Sequence, residues 1–210
     1  MVEAGAVNGS RVFDAAEIEG ELRDARTAAL EMVRGARGAL SGAVDLTMGY
    51  LSFLGFVERA QAFHLGTVDM VEAGNPLAAA TLLRSFAENL AVVFYIEKHP
   101  GEMSKLYPGA EQGLAMGKVI AAAQKSLPGF KRLHDHLSSM AHPSGSGAFQ
   151  TLRTEPDGRI FWQSHPTFLS NEDALQYLKW LAELRGLTAT VIRNTAAGFA
   201  AAESSAHQSG

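Results

Sequence analysis

The sequence predicts a mostly α-helical chain, a helical bundle of about six to seven helices carrying one small β-hairpin insertion. Three observations lead there. Thirty-four of the 210 residues are alanine, the strongest helix former. Apolar residues recur at three- and four-residue spacing over long stretches instead of alternating. Turn-forming clusters are widely separated, without the rhythm of strands every ~8–12 residues that marks an all-β chain, and no internal repeat recurs in register.

Each element follows from its own signals. Residues 1–10 are small and polar and are expected to form a loose end, as are residues 203–210; a single helical domain is predicted over 11–202. Its first helix spans about 11–40, with Val12, Ala16, Ile18, Leu22, Ala25, Ala29, Met32 and Val33 at helical spacing. The second spans about 43–73, with Leu51, Leu54, Val57, Phe63, Val68 and Val71 as its core and a kink or break expected near Gly49. Gly74-Asn75-Pro76 punctuates the chain: glycine suits the residue after a helix, asparagine the N-cap and proline the first turn. A third helix then runs from 76 to about 98 and stops before Pro100-Gly101. Shorter helices are predicted over about 102–107, 110–126 and 129–142, the last ended by Pro143. Residues 149–154 and 159–163 flank Glu155-Pro156-Asp157-Gly158 and predict a hairpin at about 148–164, expected to lie against the helices through Phe149, Ile160, Phe161 or Trp162. Ser170-x-x-Asp173 has the form of a capping box and opens a long helix to about 202, striped by Leu178, Leu181, Leu184, Leu187 and Val191 with Tyr177 and Trp180 alongside.

Composition narrows the chemistry. The net charge is −4 and the pI about 6.0, so no uniform basic field holds a polyanion, although a local basic groove is compatible with it. The absence of cysteine excludes disulfides, thiol catalysis and cysteine-ligated metals, and points to a reducing cytoplasm. The N-terminus lacks the basic and apolar regions of a secretory signal. The longest uninterrupted apolar run, Leu90 to Ile96, is far shorter than the ~20 residues of a membrane span, so a soluble protein without membrane contact is expected. No phosphate-cradling glycine loop and no strand-borne nucleophile motif is present. His134 and His136 point in different directions on a helix, and no third ligand shares a face with them, so no metal and no cofactor is predicted.

The third helix carries the most information. From Leu77 to Ile96 it is apolar except for Thr81, Arg84, Ser85, Glu88 and Asn89, which fall within an arc of about 140°, with Tyr95 on the same arc. Such a helix belongs at the centre of a fold, with one polar strip along it. Arg84 and Glu88 are four residues apart; read structurally they form an ion pair worth about 0.3–0.5 kcal/mol if exposed, and read functionally they are a buried pair kept to bind or act on something. A second cluster is His134, Ser138 and His142, spaced by four and flanking the apolar stripe of Leu133 and Leu137 so that they can face a groove, with His142 at a helix C-terminus where the dipole favours its protonated form.

Residues 53–144 resemble a family of uncharacterised bacterial and phage helical proteins that carry an R-[ST]-x-x-E helix and a later L-S-x-x-x-H segment. Here the motifs are Arg84-Ser85-x-x-Glu88 and Leu137-Ser138-x-x-x-His142. The chain is also loosely similar to the HEPN superfamily, whose helical bundles often dimerise and in many members cleave RNA without a metal through an R-x(4–6)-H motif. The resemblance implies dimerisation and RNA as a candidate substrate, but Arg132 is followed by His134, His136 and His142, none at that spacing. Two functions follow as expectations. The first is a non-catalytic interaction or ligand-binding protein, a homodimer that takes a protein or small anionic ligand through Arg84, Ser85, Asn89, Tyr95 and His134. The alternative is a HEPN-like metal-independent ribonuclease or nucleotide-handling enzyme, with Arg84 on phosphate charge, His142 as general acid/base, and Glu88 or Ser138 orienting them.

Overall fold

The computed structural model describes residues 13–39, 47–141, 152–154, 157–162 and 166–208. Among them the chain is mostly helical, with seven α-helices: α1 (Glu19–Ala28), α2 (Leu30–Ala39), α3 (Met48–Glu72), α4 (Pro76–Lys98), α5 (Met116–Ser126), α6 (Phe130–Ala141) and α7 (Asn171–Gln208).

The predicted central helix is central. α4 packs against α3, α5, α6 and α7, and Ala79, Ala80, Leu83, Phe86, Ala87, Leu90 and Ala91 are wholly buried. Burial of a side chain the size of Leu83 or Phe86 is worth about 1.5–3 kcal/mol each, so this helix dominates the core energetics. Of the described helices only Pro76–Lys98 has the length and apolarity to cross a membrane, and 61% of its most apolar window is buried inside the bundle. Its start is built as the sequence implies. Gly74 takes φ +71°, the Asn75 N–H reaches back to the Met70 carbonyl and the Gly74 N–H to that of Val71, closing α3. The Asn75 side chain then accepts from the Ala78 N–H at 3.0 Å, opening α4. A Cβ at position 74 would also crowd the Phe13 ring, 3.1 Å away, which would have to give by a few tenths of an ångström.

Several expectations are corrected. The first helix is not continuous over 11–40: a 3₁₀ turn at Ala15–Ile18 precedes α1, and Ala29 separates α1 from α2. The cause lies on another helix. The Ala25 carbonyl, which an unbroken helix would offer to the Ala29 N–H, accepts instead from Nε2 of His64 at 2.9 Å, and the Ala29 N–H turns to the Arg26 carbonyl at 3.3 Å. α3 begins at Met48, capped by the Thr47 hydroxyl on the Tyr50 N–H, so Gly49 sits in its first turn rather than at a kink; positions 43–46 of the predicted helix lie outside the described residues. Leu51 is 46% exposed instead of buried, and Phe53 takes the core position. Residues 100–106 form 3₁₀ turns in place of an α-helix, and α5 starts at 116, after Gly109 with φ +79° has turned the chain. α7 runs on to Gln208, six residues past its expected end.

Within the predicted hairpin interval, β1 (Leu152–Thr154) and β2 (Ile160–Trp162) pair antiparallel, Leu152 opposite Trp162 and Thr154 opposite Ile160. The expected packing of this segment on the helices is not found at the described side chains. Ile160 is 68% and Trp162 72% exposed, while Phe149 and the Phe161 side chain lie outside the described residues.

Candidate functional site

The polar strip of α4 divides into three environments. At its first turns Thr81 is exposed, its hydroxyl bonded back to the Leu77 carbonyl, which is a solvated helix position. In the middle, Arg84 Nε donates to Glu88 Oε1 at 3.0 Å, with 28% and 34% of the two side chains exposed. The expectation of a buried pair is thereby corrected. α4 is covered on its apolar faces, and this stretch of the strip stays at the surface. Tyr95, expected on the same arc, lies two helical turns further on, about 10 Å along the axis from Glu88. It is buried beside Lys118 of α5 and Glu102 of the 3₁₀ segment, with Lys118 Nζ 5.3 Å from the ring centroid. Hydrogen bonds from Lys118 and then Lys105 push the Glu102 carboxyl down to about 2. This cluster ties the 3₁₀ turns to α5 and is separate from the Arg84–Glu88 region.

α6 supplies the next part. His134 stacks on Phe130, ring centroids 5.8 Å apart and nearly parallel, and its Nε2 lies 3.7 Å from Glu88 Oε1. One turn on, the Ser138 hydroxyl is buried without a hydrogen-bond partner among the described residues. The sequence expectation that His134 and Ser138 open on a groove is corrected: both are packed inward, beside the wholly buried Leu137. His142, the proposed general acid/base, lies outside the described residues. Among those residues no group of three histidine, aspartate or glutamate side chains is placed to hold a metal ion.

The open space lies on the other flank of α4. An exposed groove of about 460 Å³ is bounded by Phe56 and Arg59 of α3, Ser85, Glu88, Asn89 and Val92 of α4, Leu106, Leu114, and Met116 of α5. Asn89 is the key residue of its floor. It is 4% exposed, its Nδ2 donates to the Phe56 carbonyl at 3.0 Å, and its Oδ1, itself buried, has no partner among the described residues. A buried amide oxygen left unpaired costs about 1–3 kcal/mol, so its retention beside open space needs a reason. Among the described residues Arg59 makes no ion pair; its guanidinium carbon sits 5.0 Å over the Phe63 ring, which holds the charge at the rim. With Glu88 paired to Arg84, Arg59 is the uncompensated charge of the lining among the described residues.

The structure therefore brings Arg84, Ser85, Glu88, Asn89 and His134 into one neighbourhood, and leaves Tyr95 apart. Sequence reasoning missed Arg59, whose only local signal is its four-residue spacing from Phe63. It also missed His64, an isolated histidine on an apolar helix whose partner is a main-chain carbonyl 39 residues away. Comparison of the chain with protein-family models, with curated proteins and with solved structures finds no match.

Proposed function

We propose that the protein is a non-catalytic helical ligand-binding protein of the cytoplasm, acting as a homodimer and taking a small anionic ligand in the groove beside α4. The observation that carries this reading is Asn89: a buried amide lining an open groove, its Oδ1 enclosed and without a partner among the described residues, below a rim that holds Arg59. The ligand that fits has an acidic group for the Arg59 fork, an apolar body against Phe56, Val92, Leu106, Leu114 and Met116, and a donor for Asn89. Dimerisation is supported by apolar surface: Met48 and Leu51, one turn apart at the start of α3, are 47% and 46% exposed. Sedimentation equilibrium at micromolar concentration tests it, and a constant mass near 22.4 kDa would end that part of the proposal.

The test of the binding site is calorimetric titration with octanoate, which carries the acid and the apolar body. Saturable binding, weakened about tenfold or more in Arg59→Gln, is the expected result. The catalytic alternative retains one supporting observation, the 3.7 Å approach of His134 to Glu88 beside the unpartnered Ser138. Under that reading Arg84→Ala and His142→Ala abolish ribonuclease activity in chelator. Wild-type protein inert toward single-stranded, duplex and transfer RNA removes it.

A further inference from the structure

A second concave site lies on the opposite side of α6. Where the first two turns of α6 cross the middle of α7, a cavity of about 210 Å³ opens between them. Its floor is apolar: Leu184 and Phe130 are almost wholly buried, and Leu133 and Leu187 are partly so. One wall is aromatic. The Trp180 ring meets the edge of His136 at 5.0 Å and packs on Tyr177 at 5.2 Å, so it is fixed from two sides. At the rim stand two opposite charges, Arg132 from α6 and Glu183 from α7.

The rim is informative because those two charges do not satisfy each other. Both line one cavity, yet neither makes a hydrogen bond or ion pair with any described residue. Arg132 keeps its planar fork of donors, and Glu183 keeps two acceptor oxygens. A fork that pairs with a carboxylate and a carboxylate that pairs with an ammonium, set over an apolar and aromatic floor, are the complement of a zwitterion with an apolar side chain. Size agrees. The cavity is smaller than the about 300–1,000 Å³ of sites for drug-sized ligands, which favours a compact metabolite over a nucleotide, and Glu183 repels a phosphate.

We propose that this cavity binds a free α-amino acid with an aromatic or branched apolar side chain, its carboxylate on Arg132, its ammonium on Glu183 and its side chain against Trp180, Leu184 and Leu187. The site is independent of the groove beside α4 and stands whether or not that groove binds an acid.

Trp180 is also the reporter. The chain holds two tryptophans, and Trp162 is 72% exposed on β2, so Trp162→Phe leaves Trp180 as the only one. Fluorescence titration of that full-length variant uses L-phenylalanine, hydrocinnamate, which lacks the amine, and phenethylamine, which lacks the carboxylate. The expected result is saturation by L-phenylalanine with a Kd below about 1 mM, and binding of the two truncated probes weaker by about 10- to 100-fold. Arg132→Gln should abolish the preference for L-phenylalanine over phenethylamine, and Glu183→Gln the preference over hydrocinnamate. Both side chains are exposed, so neither change disturbs the fold, and unchanged melting verifies this. No saturable response to L-phenylalanine, a truncated probe binding as tightly as the amino acid, or preferences intact in both variants would overturn the proposal.

Discussion

Two seams of the bundle are bridged in the same way and differ in what surrounds the bridge. His64 of α3 donates to the Ala25 carbonyl of α1, and Asn89 of α4 donates to the Phe56 carbonyl of α3. Each is buried, each links two helices through a main-chain oxygen, and each leaves one side-chain atom unpaired. His64 is enclosed: its ring stands edge-on to Phe86 at 6.1 Å, and the Arg185–Glu31 ion pair that joins α7 to α2 lies near enough to influence it. Asn89 opens on the α3–α4–α5 groove. Enclosure makes the first a structural strut that sets where α1 ends. The second borders open space, where the proposed ligand would lie.

The largest expected effect breaks the enclosed seam. His64→Ala removes a buried ring and its cross-helix bond, and should destabilise the fold by about 2–4 kcal/mol in urea denaturation, through the cavity and the Ala25 carbonyl left behind. A loss below about 1 kcal/mol would mean that the seam collapses around the gap. Next comes pH. Burial lowers the His64 pKa below its ordinary 6.5, so below 6.5 the unfolded imidazole takes up a proton that the folded one refuses. Stability contributed by the neutral ring is complete above 6.5 and is lost as pH falls from 6.5 toward the lower folded value. Urea midpoints measured at descending pH should therefore drop in the wild type and drop less in His64→Gln; parallel curves would contradict the assignment. The smallest effect is at the surface. Arg84→Ala breaks a pair that is about a third exposed and should cost about 0.5 kcal/mol or less, whereas a loss of 3 kcal/mol or more would restore the buried-pair reading.

The same contrast explains what was legible in the sequence. α4 was readable because its caps are local, in Gly74-Asn75-Pro76, and its polar strip is a matter of helical period within one segment. The stripe of α7 was readable for the same reason, and Leu178, Leu181, Leu184 and Val191 are buried. The break at Ala29 was not, because its cause is a histidine 35 positions away competing for a carbonyl. Leu51 misled because period alone does not say which side of a helix end is covered. At the site, helical spacing put Arg84, Ser85, Glu88 and Asn89 on one strip, but the approach of His134 to Glu88 comes from the packing of α6 on α4, and Tyr95 shows that one arc of a long helix meets different neighbours at each turn. Arg59 beside the groove and the setting of Arg132 and Glu183 on one cavity depend on helix-to-helix placement, which no local pattern encodes.

The role of Asn89 is tested most directly by measuring stability and binding together in Asn89→Leu. An isosteric apolar replacement removes both the bond to Phe56 and the unpaired oxygen, two changes of opposite sign. The expected result is urea stability within about 1 kcal/mol of wild type together with an altered groove, seen as octanoate affinity shifted from the wild-type value. A stability loss as large as that of His64→Ala, with octanoate affinity unchanged, would show that Asn89 is a strut like His64 and takes no part in binding.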